Sequence, residues 1–420
     1  MGNIKIRGAR PLEGTIRVQG AKNSVLPILA ASILVKGETK LENCPNLRDV
    51  DAAISILEHL GCRVTKDGKT VYINAAEITG SAVPDHLMRE MRSSVIFLGA
   101  ILGRCGEATL SMPGGCELGP RPIDLHIKAL KALGAVIEEQ GGNIICRAAK
   151  LVGSAINLEL PSVGATENAI LAAVSAEGET VITNAAREPE IVDLADFLIA
   201  AGAKIAGAGT STIHICGNGC CAPSEMVTHA IMPDRIVAAT YLSAAALTGG
   251  RLELDNVVPE HVATVTDALE RAGCIISIAQ RTIQIASKGK LCAIAPIITR
   301  PYPGFATDAQ PCLVAACLKA RGTTVFIENI FQNRYRYVEE LSRMGADIKL
   351  EGRVAIVTGV KSLNGTTVAA TDLRGGAALV VAALAAQGET IITQTGHILR
   401  GYDDIVGSLQ RLGADVLVDN

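Results

Sequence analysis

Between Ser162 and Gly202 the chain changes its hydrophobic rhythm three times. Residues 162–176 carry small or aliphatic side chains at nearly every position and few charges, which suits a helix buried on all sides. Residues 179–184 alternate and are β-branched, so they predict a strand opened by Gly178. Ile191, Leu194 and Leu198 then stand at i, i+3 and i+7, predicting an amphipathic helix over residues 190–200. Gly202 ends that helix, and a strand follows from Lys204.

This unit of buried helix, strand, amphipathic helix, strand and hairpin strand recurs six times. A residue at each predicted buried-helix start is followed fourteen positions later by a glycine: Asn23 by Gly37, Arg92 by Gly106, Gly164 by Gly178, Arg235 by Gly249, Asp308 by Gly322 and Arg374 by Gly388. A second glycine follows each of these, at Gly61, Gly134, Gly202, Gly273, Gly345 and Gly413. A period of about seventy residues therefore tiles the chain. Its 420 residues exceed the ~250 to 300 at which one core stops growing, so the units divide three and three into two domains. Three buried helices inside each domain, with sheets around them, form an inside-out α/β arrangement rather than a doubly wound one. The residues alone leave another repeated α/β packing open.

Composition narrows the function. A net charge of -3 without clustered Lys and Arg excludes the footprint of a nucleic-acid binder. Aromatic residues make up 3% of the chain and Trp is absent, so the core must be aliphatic and rich in Ala. The first twenty residues lack the apolar run of a signal peptide, and residues 375–387 are too short for the ~20 apolar positions of a membrane span. These features predict a cytoplasmic protein. Twelve cysteines without a C-x-x-C pair fit reduced thiols, and the cluster Cys216, Cys220 and Cys221 lacks the nearby His pair expected of a zinc site.

Candidate chemistry gathers at the buried-helix starts. Lys22, Asn23, Arg92, the turn Ser162, Val163 and Gly164, the pair Asp234 and Arg235, Asp308 and Arg374 all stand there. Unpaired N–H groups and the positive dipole end make such positions suited to phosphate or carboxylate. Long loops add to them. One, SMPGGCELGPRPIDLH, sets Cys116 among glycines with Arg121 five residues on, a context in which a thiol can act as acid or nucleophile. Others supply Ile330, Arg334 and Arg400. Together these cations predict a cleft for a small, multiply anionic substrate, with Asp308 as a general base.

In this order and spacing, the segments GAKNSVLP, MRSS, PGGCELGPRPIDLH, SVGAT, NAAREPEIVD, MPDRI, TDAQ, ENIFQNR, TDLRGG and HILRGY resemble the enolpyruvyl transferases along essentially the whole chain, and among them the branch acting on UDP-N-acetylglucosamine. The resemblance implies a two-domain inside-out α/β barrel, with residues 22–231 as one domain, residues 1–21 with 232–420 as the other, and the active-site cleft between them. It implies transfer of the enolpyruvyl group of phosphoenolpyruvate to the 3′-hydroxyl of UDP-N-acetylglucosamine with loss of phosphate, a committed step of peptidoglycan synthesis. No metal or cofactor is implied, and a monomer or weak oligomer is expected.

By the same resemblance Cys116 serves as acid and can carry a covalent adduct, and Asp308 faces the sugar hydroxyl. Lys22, Arg121 and Arg400 match the phosphoenolpyruvate contacts, with Arg374 nearby. Asn23, Arg92, Arg121, Pro122, Ile123, Asp124, Leu125, Ser162, Val163, Gly164, Asp308 and Ile330 match the nucleotide-sugar contacts. Arg334 and Asp234 match positions that orient substrate or accompany closure. Some relatives carry a Lys two residues before the Ser of SVGAT, where this chain has Leu160 and then Pro161. The rivals are the sister enzyme acting on shikimate 3-phosphate, which uses no cysteine at the Cys116 position, and a silent nucleotide-sugar-binding regulator, which would have shed Lys22, Cys116, Asp308 or Arg400.

Overall fold

The computed structural model describes residues 2–91, 93–111, 123–219 and 221–419. They form two compact units. One comprises the described part of residues 20–232, and the other comprises residues 2–19 with 233–419.

Each unit holds three helices with almost no exposed flank. In the first they are Lys22–Ala31, Phe97–Cys105 and Val163–Ala173; in the second, Arg235–Thr248, Gln310–Cys317 and Leu373–Ala383. Every residue from Ser24 to Ala31, from Ile236 to Leu247 and throughout Gln310–Cys317 is buried. In the second unit the three helices pack against one another; in the first, Phe97–Cys105 touches both of the others. Ala, Leu, Ile and Val fill most of these contacts, because small and aliphatic side chains let a helix be enclosed on every side at little cost.

Three four-stranded sheets accompany the helices in each unit, and all six share one strand order. In one, Glu38–Glu42 lies between Val227–Ala230, to which it is parallel, and the antiparallel Thr70–Asn74, with Arg63–Asp67 at the far edge. Gly178–Thr183 and Arg251–Asp255 occupy the corresponding place in two others. Among the described residues each sheet remains open, so the inside-out character comes from enclosed helices and not from one closed barrel.

The sixth sheet borrows a strand. Asn3–Arg7 sits between Glu389–Thr393 and Asp415–Asp419, with Ile4 opposite both Ile392 and Val418.

The third unit of the sequence pattern is observed as Val163–Ala173, Gly178–Thr183, Pro189–Ala200, Lys204–Ala206 and Thr212–Gly217. All six glycines that follow the amphipathic helices have φ between 87° and 106°, where a side chain would be strained. Of the first set, Gly37 alone lacks a positive φ; its helix runs on through the tight turn Ser32–Leu34, and Val35 then bridges to Cys221. The sequence reading did not single out Asn43, Asn184 and Asn256, which are left-handed after the first strand of their units. Their side-chain amides donate to Ile231, Leu158 and Val18 carbonyls, each at 2.8 Å and each just beyond a parallel edge strand. Asparagine tolerates that backbone and supplies the donor at once.

At Gly99 two enclosed helices lie in close backbone contact. A Cβ there would stand 2.4 Å from the Asn168 carbonyl oxygen. Gly99→Ala is expected to cost about 1–3 kcal/mol through overpacking, read as a lower urea midpoint. An unchanged midpoint would show that the two helices can separate without loss.

Candidate active site

In the unit of residues 20–232, Lys22 is the first residue of its helix. Its own helix dipole disfavours an ammonium there. A compensating carboxylate comes from Asp49, in the first turn of Arg48–His59, with Lys22 Nζ 2.7 Å from Asp49 Oδ2. The two side chains are 13% and 2% exposed, so the pair is largely shielded from water and the amine is held in one place. Asn23 follows, half-buried.

Ser162 caps the helix Val163–Ala173, its hydroxyl accepting from the Ala165 N–H at 3.4 Å. A Cβ at Gly164 would come within 3.0 Å of His126 Cε1, so glycine lets this helix start lie against the imidazole. His126 belongs to Asp124–Ala132, the helix that Ile123 precedes and Asp124 and Leu125 begin.

The Asn168 amide fixes the state of His126. Asn168 Oδ1 accepts from the Gly99 N–H at 2.7 Å, so its Nδ2 is the donor to Val95 O at 3.0 Å and to His126 Nδ1 at 2.8 Å. An imidazole that accepts at Nδ1 is neutral there. Burial lowers its pKa from 6.5 to about 4, against a smaller raising effect of Asp124.

In the other unit, Asp308 stands just before the helix Gln310–Cys317 and is held by two guanidinium groups. Its Oδ1 accepts from Arg334 Nη2 at 2.7 Å, and its Oδ2 accepts from Arg374 Nε at 3.2 Å and Nη2 at 3.1 Å. Burial would raise the Asp308 pKa, but Arg374, then Arg334 and Arg235, outweigh it and hold the carboxyl well below the usual range. Among the described residues, Arg374 Nη1 is buried without a hydrogen-bond partner.

Arg374 is set by its neighbour Asp372, whose carboxylate caps the helix Leu373–Ala383 by accepting from the Arg374 and Gly375 N–H groups, each at 3.0 Å. Glu328, fully buried, accepts from the Ile330 and Phe331 N–H groups and from Thr307 Oγ1, which in turn accepts from Arg334 Nε. Asp234 caps Arg235–Thr248, and the Arg235 guanidinium lies 5.8 Å from the Tyr302 ring centre. Arg400 ends the tight turn Thr395–Arg400.

A family model described as EPSP synthase (3-phosphoshikimate 1-carboxyvinyltransferase) matches residues 6–409. The chain belongs to this family of enolpyruvyl transferases. A relative from Caldanaerobacter subterraneus subsp. tengcongensis named UDP-N-acetylglucosamine 1-carboxyvinyltransferase 2 is 49% identical over 99% of each chain. One from Zymomonas mobilis subsp. mobilis, named UDP-N-acetylglucosamine 1-carboxyvinyltransferase, is 47% identical over 99% of each. Among solved structures, the enolpyruvyl transferase NikO from Streptomyces tendae has a TM-score of 0.90 at 25% identity, covering 100% of this chain and 99% of that one. EPSP synthase from Acinetobacter baumannii has a TM-score of 0.77 at 21% identity with full coverage of both, a likeness of fold.

Of the transferase residues expected from sequence, Arg92, Cys116, Arg121 and Pro122 lie outside the described residues. Asp308, Arg334 and Arg374 form one cluster, and Ile330 is tied to it through Glu328 and Thr307. Ser162, Val163 and Gly164 begin one helix, and Asp124 and Leu125 begin the helix that carries His126. Sequence reasoning passed over Asp49, Glu328, Asp372 and His126 as site residues. Asp372 had a local signal, a short acid just before a helix; the others are identified by contacts between distant elements. Burial raises the pKa of the Cys62 and Cys146 thiols to about 11, leaving them protonated at neutral pH. No metal-holding group of His, Cys, Asp and Glu occurs among the described residues.

The His126 environment has a measurable pH signature. An unfolded histidine takes up its proton near pH 6.5, whereas the folded one does so only near 4, so this stability is complete above 6.5 and lost as pH falls toward 4. A non-titrating His126→Gln chain should therefore lose about 2–3 kcal/mol less than wild type between those pH values, read from urea midpoints. Equal losses in the two chains would show that His126 protonates freely in the folded state.

Proposed function

We propose that this protein transfers the enolpyruvyl group of phosphoenolpyruvate to the 3′-hydroxyl of UDP-N-acetylglucosamine, releasing phosphate and supplying peptidoglycan synthesis. The observation that carries this is near-full-length identity of 45–49% to relatives bearing that acceptor's name. The reaction is an addition followed by an elimination. C3 of the donor gains a proton as the sugar oxygen bonds to C2; phosphate then leaves as C3 gives a proton back.

Each step places a demand on the side chains. Lys22, Arg121 and Arg400 offset the donor's carboxylate and phosphate and stabilise charge as it moves. Cys116 supplies the C3 proton, and Asp308 receives the proton of the sugar hydroxyl. Asn23, Arg92, Arg121 to Leu125, Ser162 to Gly164 and Ile330 hold the nucleotide sugar. In this mechanism Lys22 of one unit and Asp308 and Arg400 of the other serve a single reaction, with residues 22–231 and residues 1–21 with 232–420 as the functional domains.

A carboxylate bound by two guanidiniums is a weak base. An incoming dianion brings negative charge to the same cations. That charge raises the proton affinity of Asp308 when both substrates are present, so acceptor deprotonation is coupled to donor binding. No described helix is long and apolar enough to cross a membrane. We assign the enzyme to the cytoplasm, acting as a monomer or weak oligomer.

Phosphate release from phosphoenolpyruvate should be faster with UDP-N-acetylglucosamine than with shikimate 3-phosphate by a factor of about 10⁴ in kcat/KM, because groups built to pair with one acceptor are left unpaired by the other. Cys116→Ala should lower kcat by about 10²–10⁴. Turnover confined to shikimate 3-phosphate would overturn the assignment, and full turnover by Cys116→Ala would remove the thiol from the mechanism.

A further inference from the structure

The helix that begins with Lys22 has an intrinsically weak first turn. Ala21 provides no side-chain cap, no acid follows it in that turn, and Pro27 lies inside the helix. Proline has no N–H, so the Asn23 carbonyl, four residues earlier, loses its helical donor. The segment holding the donor-binding lysine must be fixed from elsewhere.

The buried carboxylate of Asp193, on the helix Pro189–Ala200, supplies that anchor. Its Oδ2 accepts from the Ser24 hydroxyl, two residues after Lys22, and from the Met232 N–H at 3.2 Å. The Met232 carbonyl in turn accepts from the N–H of Ala21, the residue before Lys22, at 2.7 Å. One carboxylate thus brackets Lys22 on both sides. His229, on the strand Val227–Ala230, places Nε2 2.9 Å from Asp193 Oδ1, and its ring meets Phe197 edge-on at 5.7 Å. The hydroxyl of Ser24 donates to the carboxylate and not to the imidazole, so the trio is not a nucleophile with its base.

We propose that Asp193, oriented by His229, is a positioning residue for Lys22 and sets the enzyme's grip on the anionic donor. The role rests on the enolpyruvyl transfer proposed above. Loss of a charge-assisted bond at this anchor loosens the first turn, and the ammonium is then less often where the donor's charge will be.

Steady-state kinetics on the full chain tests this. Ser24→Ala and His229→Ala should each raise KM for phosphoenolpyruvate about tenfold while KM for UDP-N-acetylglucosamine stays within about twofold. His229→Gln, whose amide can still donate to Asp193, should return the donor KM to within about threefold of wild type. In a Lys22→Arg background, Ser24→Ala should add less than about twofold, because the two changes act on one interaction. An unchanged donor KM, equal rises for both substrates, independent multiplication with Lys22→Arg, or a Ser24→Ala chain that does not fold would each overturn the positioning role. Should His229→Ala fail to fold, Ser24→Ala, which removes a single hydroxyl, decides the matter. A wild-type chain that releases no phosphate from this substrate pair removes the functional assignment and the anchor's role with it. An active wild type whose variants keep the donor KM removes the anchor alone.

Discussion

A helix enclosed on every side keeps charge near its ends, because a charge along its flank would be buried without water or partner; burial pushes the Glu167 carboxyl, on such a flank, toward its neutral form. Six such helices make up the two cores, and that constraint accounts for where the chemistry stands. Lys22, Arg235 and Arg374 lie in the first turns of their helices, and Asp308 lies just before another. The interiors of the same helices are Ala, Leu, Val and Ile with few polar exceptions. Core and charged residues thus share each helix but divide it lengthwise.

The charges at these ends are set against opposite ones before any ligand arrives. Lys22 is met by Asp49, and Asp308 by Arg334 and Arg374. Each pair has lost part of its hydration, and breaking one partner would strand the other in a poorly solvated place. Such pairing fixes side chains that are otherwise long and mobile. Under the proposed mechanism, an anionic substrate competes with protein carboxylates for the same cations, so binding redistributes charge instead of merely adding it. The neutral imidazole of His126, against Gly164, is the exception, held by an amide whose own orientation is dictated by backbone.

Much of this was legible in the chain because repetition leaves a local trace. The glycines after the amphipathic helices recur at a fixed place and all adopt a backbone that other residues resist. The third unit's elements fall within a few residues of their expected bounds, Val163–Ala173 and Pro189–Ala200 among them. The helix-start residues could be named for the same reason. What could not be read were the partners. Ser24 and Asp193 are 169 positions apart, Thr307 and Glu328 lie in separate loops 21 positions apart, and no spacing rule links either pair. Pro27 was plainly visible in GAKNSVLP, yet its consequence, a turn that needs support from another helix, exists only once that helix is in place.

The strand Asn3–Arg7 completes a sheet whose other members lie more than 350 residues further along. That strand is synthesised before its neighbours. The stretch from Gly20 to Met232 carries its own three sheets and can mature while synthesis continues, whereas its companion must wait for the closing residues before the sixth sheet can zip shut. Until then an unpaired, half-apolar ribbon is carried on the growing polypeptide, and Lys5 and Arg7 within it give the charge that discourages adhesion to other nascent chains.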